Sequence, residues 1–234
     1  MGNVLFFLGF PSQALALSNA AIAEARRLAH APSLAQSFTF GTRLLSEYGD
    51  NAALADRADE FCALATDQGF AHWRAQAAIY RGWVKVTNGD VIEGMSLLRA
   101  GLTDCRATGN DAEISSYIPI LARACEIAVQ VEEALALLAD ALQIVERTGE
   151  RRLAAELNRH KGQLLLRQGH SEAAEELYRK ALSIAQEQGA KLWEFCAPPR
   201  ASPGCAATRV ATPRTATFWH RSTAGSPKAS TRPI

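Results

Sequence analysis

The sequence predicts an all-α, right-handed solenoid of antiparallel helix pairs with a period of 40 residues, and three observations carry the prediction. Gly9, Gly49, Gly89 and Gly169 stand on one 40-residue grid with a vacancy at Val129, while Gly69, Gly109, Gly149 and Gly189 stand on a second grid offset by 20. Glycine closes a helix in the left-handed conformation at little cost, so this spacing between apolar periodic segments reads as a series of helix stops. Small residues also recur at fixed offsets: Thr42, Gly82, Ala122 and Gly162; then Leu54, Gly94, Ala134 and Ala174; then Phe61, Gly101, Ala141 and Ala181. Such positions let two helices approach closely, with large residues such as Leu97, Leu137 and Leu177 filling the groove between them. Finally, 48% of the 234 residues are apolar, enough for a substantial core.

In chain order, Gly2 to Leu8 is too short for a whole helix of this repeat and reads as the last two turns of one. The turn at Gly9-Phe10-Pro11-Ser12 follows, with Ser12 the expected N-cap of a helix running to Ala29. Four helix pairs complete the expectation, 33–48 with 51–68, 71–88 with 91–108, 112–128 with 132–148, and 152–168 with 171–188. Beyond residue 194 the chemistry changes. Residues 1–194 carry 19 Lys or Arg against 24 Asp or Glu, whereas 195–234 hold six basic residues, no acidic ones and six of the nine prolines. The division is therefore a helical repeat domain, 1–194, and a disordered tail, 195–234.

The totals exclude several function classes. Cys62, Cys105, Cys125, Cys196 and Cys205 show no CxxC spacing, which argues for a reducing compartment rather than a disulfide framework or zinc site. His30, His72, His160, His170 and His220 lack metal-ligand spacing, and Glu132, Glu133, Glu172, Glu175 and Glu176 sit where carboxylates favour a helix dipole. No phosphate loop, GxSxG or HExxH motif occurs, so neither an enzyme nor a cofactor is expected. No apolar run reaches the ~20 residues needed to span a bilayer. The expected location is the cytoplasm.

The unit Gly162 to Ala181, GQLLLRQGHSEAAEELYRKA, resembles the tetratricopeptide pattern of a small residue, a turn glycine, alanine, an aromatic and alanine, here Gly162, Gly169, Ala174, Tyr178 and Ala181. The resemblance implies a tetratricopeptide-like solenoid, each unit longer than the usual ~34 residues, with a concave face made by the first helices. That face is where repeat proteins usually bind, and Gln36, Arg43, Gln76, Trp83, Ser116, Arg123, Arg159 and Gln163 are placed on it. Arg43, Trp83, Arg123 and Gln163 form a column with 40-residue spacing, rich in side chains that anchor interfaces. The competing reading is that these are ordinary solvated or inter-repeat positions.

Through Arg81-Gly82-Trp83, Arg147-Thr148-Gly149-Glu150 and Lys191-Leu192-Trp193-Glu194, residues 1–194 also resemble the C-terminal repeat region of bacterial signalling proteins that carry a class III adenylate cyclase and an ATPase module upstream. The resemblance implies a non-catalytic regulatory segment, since neither cyclase nor ATPase motifs occur in this chain. Its partner is then a protein or peptide, or the upstream modules of a parent polypeptide. In that family the chain continues close to LLAPVYGWFTEGFDTPDL, and reading GGC TGG TTC ACC GAA GGC one base later yields Ala224-Gly225-Ser226-Pro227-Lys228. Residues from Phe195 onward are therefore expected to be a frameshifted translation, and the chain a fragment. Two alternatives stand beside this reading: a stand-alone adaptor that captures a peptide or effector, and a nucleic-acid-associated regulator using the basic tail. The tail has no dense basic cluster, which disfavours nucleic acid. Unpaired terminal helices would leave apolar surface, so self-association is expected.

Overall fold

A forty-residue unit of this kind must turn the chain every 20 residues, and the computed structural model, which describes residues 2–109 and 111–191, shows the turns where the glycines stand. Ten helices occupy the described residues: α1 (Gly2–Phe7), α2 (Pro11–Arg27), α3 (Ala31–Tyr48), α4 (Asn51–Asp67), α5 (Ala71–Thr87), α6 (Val91–Ala107), α7 (Asp111–Ile127), α8 (Val131–Thr148), α9 (Ala154–Arg167) and α10 (Ser171–Gln188). Among the described residues no strand interrupts them. Consecutive helices pack antiparallel into a tetratricopeptide-like solenoid with a first-helix layer of α3, α5, α7 and α9.

The vacancy at Val129 is filled by the valine itself, which adopts φ 60°, and Ala29 at φ 50° extends the second grid. Their turns are wired like the glycine turns. Gln130 N–H donates to Cys125 O at 2.8 Å, as His170 N–H does to Leu165 O at 2.9 Å. A β-branched residue is strained in this region of backbone space, so the turn at Val129 is held by its neighbours rather than by local preference. Two boundaries differ from the sequence expectation. α2 begins at Pro11 with Phe10 as N-cap, and Ser12 lies inside the helix, because proline fits the first helical position where its missing N–H is no loss. α9 begins at Ala154, since Ala154 N–H donates to Arg151 O in a turn that takes up residues 151–153.

Close approach between paired helices follows the small-residue columns. A Cβ on Gly82 would lie 2.8 Å from Gly94 O, one on Gly94 2.7 Å from Gly82 O, and one on Gly101 2.8 Å from Ile79 Cγ1. This three-glycine seam brings α5 and α6 nearly into backbone contact. The α9/α10 pair is looser: a Cβ on Gly162 would meet Ala174 O and Tyr178 Cε1 at 3.2 Å. In the first full pair the same offsets carry Thr42, Leu54 and Phe61, all fully buried, and Phe61 packs on Phe38 with ring centres 5.8 Å apart.

Exposed ion pairs brace neighbouring second helices at a constant separation of 34 residues: Arg26 with Glu60, Arg99 with Glu133 at 2.9 Å, and Arg106 with Asp140 at 2.7 Å. Each contributes little on an exposed surface, so the core supplies the stability and the pairs tune the register. The solenoid curls tightly. A Cβ on Gly9 would sit 3.7 Å from Lys191 Cβ, which brings the first turn against the residues after α10. Leu8, Phe10, Leu17 and Leu28 remain exposed along α1 and α2. Residues 195–234, with the expected frameshift, lie outside the described residues.

Candidate functional site

The first helices α3, α5, α7 and α9 make the inner face of the curl, the bore, across which Glu47 of α3 interacts electrostatically with Glu156 of α9 and with Arg152. The column predicted at 40-residue spacing comes together there only in part. The Arg123 guanidinium lies 4.4 Å above the centre of the Trp83 ring, a cation–π stack between α7 and α5. Arg43 of α3 lies 5.9 Å from the Tyr117 ring centre, and Tyr117 meets Tyr80 edge-to-face at 6.1 Å. Gln163 accepts a hydrogen bond from Arg159 Nη1 at 3.1 Å, while Arg159 clamps Glu156 through Nε and Nη2, both at 2.6 Å. Ser116 is buried and accepts from Arg152 Nη2 at 2.7 Å. Gln36 is exposed on α3, two turns before Arg43.

Gln76, itself buried, belongs to a separate, partly exposed chain of hydrogen bonds. Thr39 Oγ1 donates to Gln76 Oε1 at 2.8 Å, and Gln76 Nε2 donates to Glu113 Oε2 at 2.7 Å. His72 Nε2 lies 2.7 Å from Gln76 Nε2, and His72 Nδ1 lies 2.9 Å from Thr108 Oγ1, which donates to Cys105 O. His72 Nε2 also lies 3.2 Å from Glu113 Oε2. This chain ties α3, α5 and α7 together.

The bore is different. Arg43 Nε and Nη2, Tyr80 Oη, Trp83 Nε1, Tyr117 Oη and Arg152 Nη1 are all buried without a hydrogen-bond partner, as are Ser46 Oγ and the acceptors Glu150 Oε2 and Asn158 Oδ1. Burial pushes the phenols of Tyr80 and Tyr117 above their usual range, so both are neutral O–H donors at pH 7. Burial also pushes the Glu47 carboxyl up, with Glu156 adding to the rise and Arg123, Arg152 and Arg43 opposing it. Glu156 shows the opposite balance. Burial works to raise it, but Arg159, His160 and Arg123 together hold it below the ordinary carboxylate range. Arg152 is lowered, first by burial and then by repulsion from Arg43, which places α3 and the turn before α9 within electrostatic reach across the bore.

Glu47, Tyr80, Tyr117, Arg152 and Glu156 were not among the residues expected from sequence. Glu47 is four residues after Arg43, Tyr80 three before Trp83 and Glu156 three before Arg159, so extending the column by helical i,i+3 and i,i+4 neighbours would have found them. Tyr117 and Arg152 come from the curl, which no local spacing encodes. Outside the bore, a cavity of about 510 Å³ is lined by Arg106, Ile114, Asp140, Gln143, Ile144 and Arg147, and there Arg106 and Asp140 satisfy each other. Cys105 and Cys125 are buried, with thiols pushed up by burial to about 12 and about 11, so neither is a nucleophile at pH 7. Among the described residues no helix is long and apolar enough to cross a membrane.

Residues 114–187 match the tetratricopeptide repeat family model. Among solved structures the chain resembles BtubC (BKLC) from P. vanneervenii, with 16% identity over 76% of this chain and 74% of that one at a TM-score of 0.57. It also resembles a single-substitution form of a candidate kinesin light chain of Podosopora anserina with nearly identical TPR-like repeats, with 19% identity over 80% of this chain and 92% of that one at a TM-score of 0.50. At these identities the likeness shows the fold alone. No curated protein matches the chain.

Proposed function

We propose that the solenoid is a non-catalytic scaffold that takes an extended segment of a partner protein into its bore, and that it serves as the regulatory repeat segment of a bacterial signalling protein with cyclase and ATPase modules. The fold supports the first half, since tetratricopeptide repeats generally bind proteins or peptides. One observation carries the choice of face: Arg43 and Trp83, the latter stacked under Arg123, line the bore with donors left without a hydrogen bond within the chain. Arginine and tryptophan in a desolvated centre are the residues that anchor interfaces. The second half rests on the resemblance through Arg81-Gly82-Trp83 and Lys191-Leu192-Trp193-Glu194.

Selection of a random-peptide display library against the full chain tests the binding face. Enriched peptides should bind the wild-type protein and the Arg74→Gln variant, altered at an exposed position on α5, and lose at least ~tenfold in affinity on Trp83→Ala or Arg123→Ala. Peptides indifferent to both bore variants would remove the bore from the account. Sequencing the DNA through the codons for Glu194 and Phe195 and upstream of Met1 separates the two settings. In-frame cyclase and ATPase modules support the regulatory segment, and unrelated upstream DNA replaces it with the stand-alone adaptor.

A further inference from the structure

A partner can use the inner face only if it can reach it, and in this structure the chain covers that face itself. Gln76, Tyr80, Trp83, Ser116 and Tyr117 are all buried. Part of the cover comes from across the curl. The Arg43 guanidinium of α3 reaches past α5 to within 5.9 Å of the Tyr117 ring centre on α7, and Arg152, in the turn before α9, donates to Ser116 of α7 at 2.7 Å. The curl runs far enough for its two ends to meet, since a Cβ on Gly9 would sit 3.7 Å from Lys191 Cβ. Polar groups in the covered face are incompletely paired in both senses. Arg43 Nε and Nη2 and Arg152 Nη1 lack partners as donors, and Glu150 Oε2 and Asn158 Oδ1 lack them as acceptors. Each regains hydrogen bonds to water when the face opens, so hydration works against the closed form. Packing along the stack is also uneven. The steps from α6 to α7 and from α8 to α9 are packed more sparsely than the helix pairs α5/α6, α7/α8 and α9/α10, so rotation at these two steps opens the curl without breaking a pair.

We infer that the solenoid is a gated ring, in which this closed form excludes partners and parting of the Gly9 turn from Lys191 exposes Trp83 and Ser116 to a protein segment. This rests on the reading of the inner face as the binding face and adds what regulates access to it. The affinity of a partner is then reduced by the fraction of chains that stand open, and whatever holds the two ends apart raises it. The gate itself, unlike the partner, can be read without a ligand.

The 3.7 Å separation suits a disulfide, whose Cβ atoms stand about 3.8 Å apart. The test uses the full chain with Ser116→Cys as a probe on the inner face and the buried Cys125, on the other side of the same helix, as reference. Cys196→Ser and Cys205→Ser leave residues 195–234 without thiols. Into this background Gly9→Cys and Lys191→Cys are introduced and oxidised, and alkylation of positions 116 and 125 by iodoacetamide is followed by mass spectrometry. Without the cross-link, position 116 should react faster than Cys125, because the ring opens more often than the chain unfolds, and the cross-link should cut that ratio at least ~tenfold. Gly9→Asn needs no disulfide: asparagine tolerates the left-handed turn and places a side chain in the gap, so the ratio should rise. Equal rates at the two positions without the cross-link, or a ratio that neither change moves, overturns the gate. Display-selected peptides should bind the cross-linked form at least ~tenfold more weakly than its reduced form. Equal binding that still depends on Trp83 removes the gate and leaves the binding face. A gate seen by alkylation with peptides indifferent to Trp83 removes the binding face and leaves the ring opening.

Discussion

The seam between α5 and α6 and the bore between α3, α7 and α9 lie on opposite sides of the same first-helix layer, and they solve opposite problems. Along the seam, Gly82, Gly94 and Gly101 remove side chains so that backbone and apolar atoms pack within van der Waals contact. No room is left there for a further methyl group. Across the bore, Arg43, Glu47, Arg152 and the phenols of Tyr80 and Tyr117 are brought together with hydrogen-bonding groups left over. The seam commits its sequence to stability, whereas the bore retains an arrangement that apolar residues of similar volume would stabilise better. Regions of a protein that forgo stability in this way are where binding sites are found.

The sharpest way to break this contrast is to overfill the seam. Gly94→Ala places a methyl 2.6 Å from Val86 Cγ2 and 2.7 Å from the backbone at Gly82 and Val86. It should destabilise the solenoid by about 3 kcal/mol, lowering the melting midpoint by roughly 6–12 °C. A smaller effect of opposite sign is expected at the strained turn: Val129→Gly relieves a valine at φ 60° that is 81% exposed, and should stabilise by about 1 kcal/mol in urea titration. In the bore, Glu47→Gln tests the burial of charge. Because the folded chain holds the Glu47 proton more tightly than the unfolded chain, its stabilising contribution is full below the usual carboxylate range and is lost as pH rises through the raised value. Glu47→Gln should therefore raise stability at pH 7, with the gain vanishing towards about pH 4. Smallest of all, Gly162→Ala adds a methyl at 3.2 Å from Ala174 O and Tyr178 Cε1, where slight movement and better helix propensity offset each other, so the change should stay within about 0.5 kcal/mol.

Local chemistry made the helices legible in the sequence. Turn glycines, the small residues at 82, 94 and 101 and the apolar periodicity are all short-range signals, and the helices fall within a few residues of their expected bounds. Where neighbours overrule local preference the sequence was silent: Val129 takes a glycine's conformation, and Phe10 rather than Ser12 begins α2. The proposed binding face was legible as a column, Arg43, Trp83 and Arg123, but the cluster they join was not. Residues 43 and 152 come within electrostatic reach only because small angles between successive helix pairs add up to a curl, and those angles depend on packing throughout the stack. The same curl buries Trp83 and Ser116, which a more open solenoid would leave on a wide concave face.

Equilibrium unfolding in urea of the wild-type chain and Arg43→Met at pH 7 tests the account most directly. Replacing a buried, partly unpartnered guanidinium by an apolar side chain of similar length should leave the slope unchanged and stabilise the protein by about 1–3 kcal/mol. A loss of about 3 kcal/mol or more would mean that Arg43 holds the bore together through an internal ion pair, and would contradict the reading of the bore as a face with buried groups left unpaired.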